Sequence, residues 1–354
     1  FGVYPGETVE ALSAAAGAGD RAGDAGIELR FADSLLVITR VDSGTPAAAA
    51  GLRPGWVVEE IDTLRVAGAL RAIGLVGDAG ARRFALVRLT LSLNARLAGP
   101  AGSTLRLVMR DAGGVRRTVP VGLRDTPGQV VQFGALPPMH ISFVRSRLAM
   151  PHGCVGVIRF NMFMGPVAPQ FDDAMTALGD CAGIVLDLRG NVGGLGAMII
   201  SLSGQFLTSP DTLGTMRLRE STLHYVANPR RVTRGGEPAV PYSGAVAIVI
   251  DEMSASTTEI FAAALQRLGR ARVFGSVSAG QALPALMTRL PNGDRFLHVI
   301  ADFTAPDGSR LEGQGVVPDE KFARSRPALL AGRDEPFEAA LRWIAVPHGP
   351  AIPR

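Results

Sequence analysis

Residues 245–275 read AVAIVIDEMSASTTEIFAAALQRLGRARVFG, and this stretch decides the fold of the carboxyl-terminal part of the chain. The apolar run Ala245–Ile250 predicts a buried strand. Apolar residues at helical spacing predict a helix over Thr258–Leu268, and Arg272–Phe274 predicts the next strand. A strand, a helix and a second strand in this order are typical of a parallel sheet that helices cover on both faces.

The same alternation continues on both sides of this stretch. The further predicted elements are strands over Val155–Phe160 and Gly183–Leu188, helices over Pro169–Leu178 and Leu195–Leu207, and a hairpin over Ala285–Phe303 around Asn292-Gly293. Together they predict an α/β core over residues 151–345.

Residues 25–126 show a different pattern, in which short alternating runs are separated by glycine-rich turns. The predicted strands are Ile27–Phe31, Leu35–Val41, Trp56–Ile61, Thr104–Arg110 and Val115–Val121. An alanine-rich run closed by a glycine also predicts a short helix over Thr45–Gly51. These residues therefore predict one small β-rich domain.

Two further segments carry little periodicity. Residues 127–150 contain three prolines and are predicted to be a linker. Residues 1–24 are rich in alanine and glycine, with one weak helical stretch around Val9–Ala16. Because the chain starts at Phe1 and shows no basic region followed by an apolar stretch, we expect residues 1–24 to be the remnant of a truncated upstream segment.

Composition argues against several classes of function. A net charge of +4 and a pI near 9.6 would suit a nucleic-acid partner, but basic residues never run longer than a pair and aromatic residues make up only 6%. No apolar run approaches the roughly 18 residues that span a membrane. No spacing of His, Cys, Asp and Glu predicts a metal site, and no cofactor is predicted. The charge is read as a solvated arginine surface.

The two cysteines occupy matching places, since Cys154 and Cys181 each precede a predicted strand. If those strands are parallel neighbours, the two sulfurs lie at the same end of the sheet, within the reach of a disulfide. Two unconnected small hydrophobic residues are an equally good reading. A bridge would imply an oxidising compartment.

Ser256 lies where a helix begins after a buried strand. Backbone N–H groups and the positive end of the helix dipole meet there, which suits an oxygen nucleophile that passes through an anionic intermediate. Ser256 and Glu259 also have the spacing of a capping box, which needs no chemistry. The serine alone therefore does not decide between the two readings.

Residues 183–196, GIVLDLRGNVGGLG, carry a buried strand into a glycine-rich turn. Gly193 and Gly194 can approach a substrate closely and present N–H groups, as an oxyanion hole requires. A simple turn with positive φ explains the same glycines. The order of the glycines does not match the G-x-G-x-x-G of a dinucleotide site.

Taken together, DLRGNVGG and SASTTEIFAAALQRLGRARVFG resemble the carboxyl-terminal processing (tail-specific) serine peptidase family. AGIELRF, VDSGTPAAAAGLRPGWVVEEID and GSTLRLVMRDAGGVRRTVPV resemble the PDZ domain of those enzymes, and PNGDRFLHVIADFTAPDGSRLEGQGVVPD resembles the tail of the family. The resemblance covers about residues 25–320. It implies a crotonase/Clp-like α/β peptidase core preceded by a small β-rich PDZ domain.

The resemblance assigns roles to individual residues. Ser256 matches the nucleophile, and the Thr257 N–H group and the turn of Gly193 and Gly194 match the oxyanion hole. These assignments imply a serine endopeptidase that cleaves proteins or unfolded polypeptide tails.

The general base is the point at which this chain departs from the family. In the Ser-Lys branch a lysine follows the serine by 25 residues, and that position is Gln281 here. The only lysine of the chain, Lys321, lies beyond the last shared motif. Glu312 matches a glutamate of the tricorn-like branch, in which the base is a histidine upstream of the PDZ domain. We therefore expect the base to be a histidine outside this fragment.

An alternative is a pseudo-peptidase that kept the fold, lost the base and binds polypeptide C-termini. The histidines of the chain itself are poor substitutes for the base. His224 and His298 rank as distant candidates, while His140, His152 and His348 fall in the connection, at a strand start and in the tail.

Residues Gly26, Ile27, Glu28 and Leu29 resemble the PDZ loop that holds the terminal carboxylate of a peptide, beside which the peptide adds as a strand. An ordinary edge strand is the simpler reading. The expected partner is thus a polypeptide substrate, with no nucleic acid. The family resemblance and the cysteine pair suggest a bacterial protein of the periplasm or the secreted fraction.

Overall fold

The computed structural model describes residues 2–4, 22–74, 76–134, 136, 138–151 and 153–346. The helical stretch predicted around Val9–Ala16, and with it most of the predicted amino-terminal remnant, lies outside the described residues. A short strand, β1 (Gly2–Tyr4), pairs with a hairpin strand near residue 297. No helix in the described part of the chain is long and apolar enough to cross a membrane.

The amino-terminal sheet forms from residues 22–125. Its elements in chain order are β2 (Ala22–Asp24), β3 (Ile27–Ala32), β4 (Leu35–Val41), α1 (Pro46–Ala49), β5 (Val57–Ile61), β6 (Leu64–Arg65), α2 (Val66–Gly74), α3 (Ala79–Ala95), β7 (Ala98–Pro100), β8 (Thr104–Arg110), β9 (Arg116–Gly122) and β10 (Arg124–Asp125). The main sheet has the order β3-β4-β5-β8-β9, so β3 is an edge strand. The five predicted strands and the short helix are confirmed to within one or two residues.

Helices α2 and α3 were not predicted, and because of them residues 25–126 are not purely β-rich. Asp78 begins α3 by accepting a hydrogen bond from the Ala81 N–H group at 2.7 Å. Val87, Thr90 and Leu93 recur at helical spacing on its buried face. The helix packs against β3, because these buried residues need an apolar partner.

The carboxyl-terminal residues form a mixed α/β unit. Its elements in chain order are β11 (Gln129–Val131), β12 (Met139–Ile141), β13 (Phe143–Met150), β14 (Gly153–Phe160), α4 (Val167–Ala177), β15 (Gly183–Asp187), α5 (Met198–Ser203), β16 (Asp211–Leu218), β17 (Thr222–Ala227), β18 (Ala245–Ile250), α6 (Thr257–Arg267), β19 (Arg272–Gly275), β20 (Ala285–Arg289), β21 (Arg295–Val299), β22 (Ala301–Thr304), β23 (Glu320–Lys321), α7 (Arg326–Leu330) and α8 (Glu335–Ala345).

The central sheet has the order β13-β14-β15-β18-β19-β23, and all neighbours from β14 onward are parallel. One face packs against α4, α5 and α6 around Phe160, Phe171 and Phe261. The other face packs against α8 around Phe274 and Ile344. The predicted parallel sheet with both faces covered is therefore confirmed. Its strands are buried on both sides, which explains their continuous apolar sequence.

Residues 127–150 are more ordered than the predicted linker. They contain β11, β12 and β13, and β13 pairs with β14 from Phe143 opposite Phe160 to Met150 opposite Gly153. Most side chains of β13 are exposed or half-buried, because it lies at the edge of the sheet. Its sequence, FVRSRLAM, therefore lacks the apolar run that identified the central strands.

Two other predicted elements differ in extent. The helix predicted over Leu195–Leu207 is reduced to α5, since the glycine-rich turn continues to residue 197 and Gly204 ends the helix. The hairpin predicted over Ala285–Phe303 forms only between β20 and β21. The remaining strand, β22, leaves the hairpin and pairs with β16.

The two cysteines form a disulfide, which decides between the two readings of the sequence. Cys154 and Cys181 have Cα atoms 4.7 Å apart and lie at the amino-terminal ends of β14 and β15. These strands are parallel neighbours, with Val155 opposite Gly183. The bridge thus lies at the edge of the sheet opposite to the loops that follow the strands.

Candidate active site

Ser256 follows β18 and is the residue at which α6 begins. Its backbone has φ 56° and ψ −122°, a conformation that side-chain-bearing residues rarely adopt. Such conformations cost on the order of 1–3 kcal/mol and persist where the surrounding structure holds them. Ser256 is half-buried, and the positive end of α6 lies directly behind it.

The glycine turn after β15 lies against Ser256. Gly193 has φ 100°, and a Cβ atom built on it would lie 2.7 Å from the Ser256 Cβ. Gly194 has φ 134°, and its Cβ atom would lie 2.2 Å from the Phe163 carbonyl oxygen. Both positions therefore require glycine. The structure brings Ser256, Gly193, Gly194 and Thr257 together as the sequence predicted.

The backbone N–H groups of this turn are not equivalent. The Gly193 N–H group donates to Asn191 Oδ1 at 3.0 Å. Within the described residues, by contrast, no protein acceptor binds the N–H groups of Gly194 and Thr257. The Thr257 hydroxyl donates to the Gly194 carbonyl at 2.8 Å and fixes the two peptides relative to each other. The pair available to an oxyanion is thus Gly194 with Thr257.

The backbone of Gln281 lies beside Ser256. Its carbonyl oxygen accepts the Ser256 N–H group at 3.0 Å. The Nε2 atom of its side chain is buried and has no hydrogen-bond partner in the part of the chain that the structure describes. Lys321 is exposed on the edge strand β23, with its backbone opposite Gly275.

Glu259 connects the same two segments and was read from the sequence only as a capping residue. Its carboxylate accepts hydrogen bonds from Ser256 N–H at 3.0 Å and from Gln281 N–H at 2.9 Å. It also accepts from the Ser278 hydroxyl at 2.6 Å and from Gly280 N–H at 2.7 Å. Burial raises the pKa of this carboxyl, although the four donors act in the opposite direction.

Glu312 lies on the other side of the same turn. Its carboxylate is exposed and accepts the N–H groups of Ala282 at 2.8 Å and Leu283 at 3.1 Å. The structure therefore places Glu312 next to the turn that carries Gln281, with one oxygen bound to the backbone. Its role as a catalytic group stays a prediction.

The described histidines have other surroundings. His224 Nδ1 lies 3.1 Å from the Thr215 hydroxyl, and His298 Nε2 lies 3.1 Å from the Thr288 hydroxyl. Both ring nitrogens of His140 are buried, without a partner among the described residues. His152 and His348 lie outside the described residues. No hydrogen bond joins a described histidine to Ser256 or Glu312.

Asp251 ties the serine loop to the glycine turn and to the amino-terminal sheet. It is only 3% exposed, and its Oδ1 accepts the N–H groups of Gly190 at 2.9 Å and Met253 at 3.0 Å. Its Oδ2 binds Arg30 Nε of β3 at 2.8 Å. Burial alone would raise the pKa of Asp251, but Arg30 and Arg324 lower it to about 2.

The predicted peptide-binding loop has a different environment from the free edge strand that the sequence suggested. Gly26 has φ 69°, and a Cβ atom there would lie 2.4 Å from Thr45 Cγ2. The Leu29 N–H group donates to Asn94 Oδ1 at 2.9 Å, and the Leu29 carbonyl accepts from Asn94 Nδ2 at 2.9 Å. The side-chain amide of α3 thus occupies the position of a neighbouring strand. A peptide that adds beside Leu29 has to displace it.

Two further features bear on ligands. A cavity of about 680 Å³ lies between β3, α3 and the ends of β18 and β19, with Arg30, Arg83 and Asp251 in its lining. Ser256 does not line it, so we do not take this cavity for the catalytic cleft. Among the described residues, the metal-ligating groups that cluster are Cys154, Asp180 and Cys181. Both sulfurs of that cluster are in the disulfide and are not thiolate ligands.

Sequence comparisons agree with this arrangement. Residues 154–322 match peptidase family S41. The chain is similar to a carboxy-terminal-processing protease of Bartonella bacilliformis, with 25% identity over 330 residues, covering 88% of this chain and 64% of that protein. It is also similar to a probable CtpA-like serine protease of Staphylococcus haemolyticus, with 24% identity over 300 residues, covering 84% of this chain and 52% of that protein. The chain thus spans between half and two thirds of the length of these relatives.

Solved structures share the fold at lower identity. The photosystem II D1 C-terminal processing protease matches with a TM-score of 0.56 and 20% identity, covering 90% of this chain and 77% of that one. An S41 protease structure from Bacteroides fragilis matches with a TM-score of 0.56 and 16% identity, covering 91% and 83%. Mature CPAF matches with a TM-score of 0.55 and 14% identity, covering 92% and 81%.

Proposed function

Because residues 154–322 of this chain match peptidase family S41, we propose that it is a serine endopeptidase acting on proteins or unfolded polypeptide tails. The observation that carries the proposal is the strained Ser256, which lies beside the N–H groups of Gly194 and Thr257, and these two groups have no acceptor among the described residues. A capping serine needs no positive φ, since caps normally have extended backbone. The conformation instead resembles the sharp turn that exposes a nucleophilic oxygen.

Ser256 attacks the scissile carbonyl, and the developing oxyanion is stabilised by the N–H groups of Gly194 and Thr257. Both belong to rigid segments, because Gly194 is pressed against Phe163 and Thr257 begins a buried helix. Preorganised donors of this kind contribute roughly 3–4 kcal/mol each to transition-state stabilisation. Gly193 serves by leaving room for Ser256.

Neither Gln281 nor Lys321 is a suitable general base for Ser256. The amide of Gln281 does not accept a proton near pH 7, and Lys321 is exposed on the edge strand β23. We propose that a histidine outside residues 1–354 acts as the base, as in the tricorn-like branch, and that Glu312 orients it. Glu312 supports this because it is exposed beside the turn of Gln281, with one oxygen bound to the backbone.

We further propose that residues 25–126 are a PDZ domain and that the central unit has the crotonase/Clp-like fold, with substrate tails held at Gly26–Leu29. The edge position of β3 next to α3 supports a PDZ groove. The Asn94 amide means that the groove accepts a peptide only when that side chain moves. The disulfide supports a periplasmic or secreted location.

A fluorophosphonate probe tests the enzyme. We expect the full-length protein to be labelled at Ser256, with labelling abolished in Ser256→Ala, because the probe needs an activated serine and an oxyanion hole. Mass spectrometry of the labelled peptide identifies the residue.

Ser92→Ala is the control, since Ser92 is exposed on α3. In this variant, Ser256 is expected to be labelled as in the wild type. A folded full-length protein that takes up no probe would favour the alternative, a pseudo-peptidase that binds polypeptide C-termini.

A further inference from the structure

We propose that Glu259 is a positioning residue for Ser256, and that its ionised carboxylate holds the nucleophile and the turn of Gln281 in one fixed arrangement. The inference rests on the proposed function, because it concerns the same serine. It goes beyond the capping role that the sequence indicates.

The Oε2 atom of Glu259 joins the two segments, whereas Oε1 binds only the segment that carries Gln281. Oε2 accepts the N–H groups of Ser256 and Gln281, at 3.0 and 2.9 Å. Oε1 accepts the Ser278 hydroxyl at 2.6 Å and the Gly280 N–H group at 2.7 Å. Each of these four contacts therefore brings a donor to the carboxylate. An amide or a protonated carboxyl in the same place would point one of its own N–H or O–H groups at one of these donors.

The side chain of Glu259 is 0% exposed, and its hydrogen-bond partners are neutral. The buried carboxylates of Asp187 and Asp251 differ, because each binds an arginine. Burying a carboxylate without a cation is costly, and a hydroxyl would suffice to cap a helix. A carboxylate here has the additional property that its two oxygens join three backbone N–H groups and a hydroxyl from two segments.

The contact with Ser256 also decides which N–H groups remain for the substrate. The Ser256 N–H group is shared between Glu259 Oε2 and the Gln281 carbonyl, each at 3.0 Å. It is thus withdrawn from the oxyanion hole, and Gly194 and Thr257 are left. Because the same contact holds Ser256 at φ 56°, loss of the carboxylate lets the serine relax to an ordinary helix cap.

The test uses the full-length protein and a fluorophosphonate probe over a range of concentrations. We expect Glu259→Gln to lower the maximal labelling rate, kinact, about 100-fold, as expected for a misplacement of about 1 Å. The probe concentration at half-maximal rate, KI, should stay within about two-fold of the wild type. A general loss of structure would instead reduce the labelled fraction.

Glu338→Gln is the matched control. Glu338 likewise accepts the N–H group of the residue at which its helix begins, Asp334 in α8, at 3.0 Å, but it does not touch the site. Its kinact should equal that of the wild type. Thermal melts of all variants confirm that labelling is measured on folded protein.

The outcomes separate the two claims. A folded wild type that takes up no probe contradicts the proposed function, and with it the role of Glu259 in positioning a reactive serine. A labelled wild type with an unchanged kinact in folded Glu259→Gln overturns the inference. If Glu259→Gln does not fold, Glu259→Asp decides, because it keeps the charge but is too short to bridge both segments. An unchanged kinact in Glu259→Asp would also overturn the inference.

Discussion

At the scale of single residues, the site depends on positions where only one kind of side chain fits. Gly193 faces the Ser256 Cβ, Gly194 faces the Phe163 carbonyl, and Ser256 has a backbone that most residues avoid. The two glycines adopt positive φ without strain, whereas Ser256 carries a conformational cost. Strain of this kind is typical of functional sites, where the surrounding structure holds it.

Gly193→Ala should abolish labelling of Ser256 by a fluorophosphonate. The added methyl would lie 2.7 Å from the Ser256 Cβ and 3.0 Å from the Thr257 nitrogen, at φ 100°. We expect the free energy of unfolding to fall by about 1–3 kcal/mol, measured in urea. Gly77→Ala is the control, because no heavy atom lies within 4 Å of its Cβ position. Normal labelling of Gly193→Ala would show that the turn does not form the oxyanion hole.

At the scale of elements, helix α3 and the edge strand β3 behave as one unit. A single amide, Asn94, binds both the N–H and the C=O of Leu29, while Nδ2 also donates to the Thr90 carbonyl at 2.8 Å. Further along β3, the Phe31 carbonyl accepts from Arg324 at 3.0 Å. Side chains therefore cover the edge at both points, as natural proteins often protect an exposed strand.

Asn94→Ala should destabilise the protein by about 1–3 kcal/mol, because it removes the acceptor of the Leu29 N–H group and leaves the Leu29 C=O group with Arg30 Nη1 as its donor. Urea unfolding measures the change. Ser92→Ala, on the exposed face of the same helix, should change stability by less than about 0.5 kcal/mol. Equal effects of the two substitutions would mean that the amide does not hold the strand.

Some elements of the fold could be predicted from the sequence and others could not. The central strands and α6 could be predicted because their apolar residues are local and continuous. Strand β13 could not, since at the sheet edge it needs few apolar residues. The serine and the glycine turn could be predicted from motifs. Asn94 and Leu29 are 65 positions apart in the sequence, and Arg30 and Asp251 are 221 positions apart. A local sequence pattern cannot predict contacts between residues so far apart.

At the scale of the whole molecule, ion pairs connect the amino-terminal sheet to the core. Glu28 of β3 binds Arg159 of β14 at 2.6 Å, and Arg159 binds Asp187 at 3.1 Å. Arg30 of the same strand binds Asp251 at 2.8 Å. Asp251 in turn accepts the N–H group of Gly190. The sheet and the catalytic loops thus share one buried network.

This network gives stability a defined dependence on pH. The folded pKa of Asp251 is about 2, below its usual value of 3.8, so its contribution is present above about pH 4 and is lost as the pH falls towards 2. Asp251→Asn should lower the free energy of unfolding at pH 7 by on the order of 2 kcal/mol, and the difference from the wild type should shrink between pH 4 and 2. Urea unfolding across this range measures it.

Asp33→Asn is the control for that series, since Asp33 is exposed. Its difference from the wild type should stay small at every pH. A difference between wild type and Asp251→Asn that does not change from pH 7 to pH 2 would contradict the proposed linkage.

The solitary Lys321 has a practical consequence. Apart from the α-amino group, residues 1–354 carry one primary amine, and it is exposed on β23. An amine-reactive dye will therefore mark a single side chain. Since β23 pairs with β19, and residues 276–280 join β19 to Gln281, that dye becomes an optical reporter of movement in the segment that contacts Ser256.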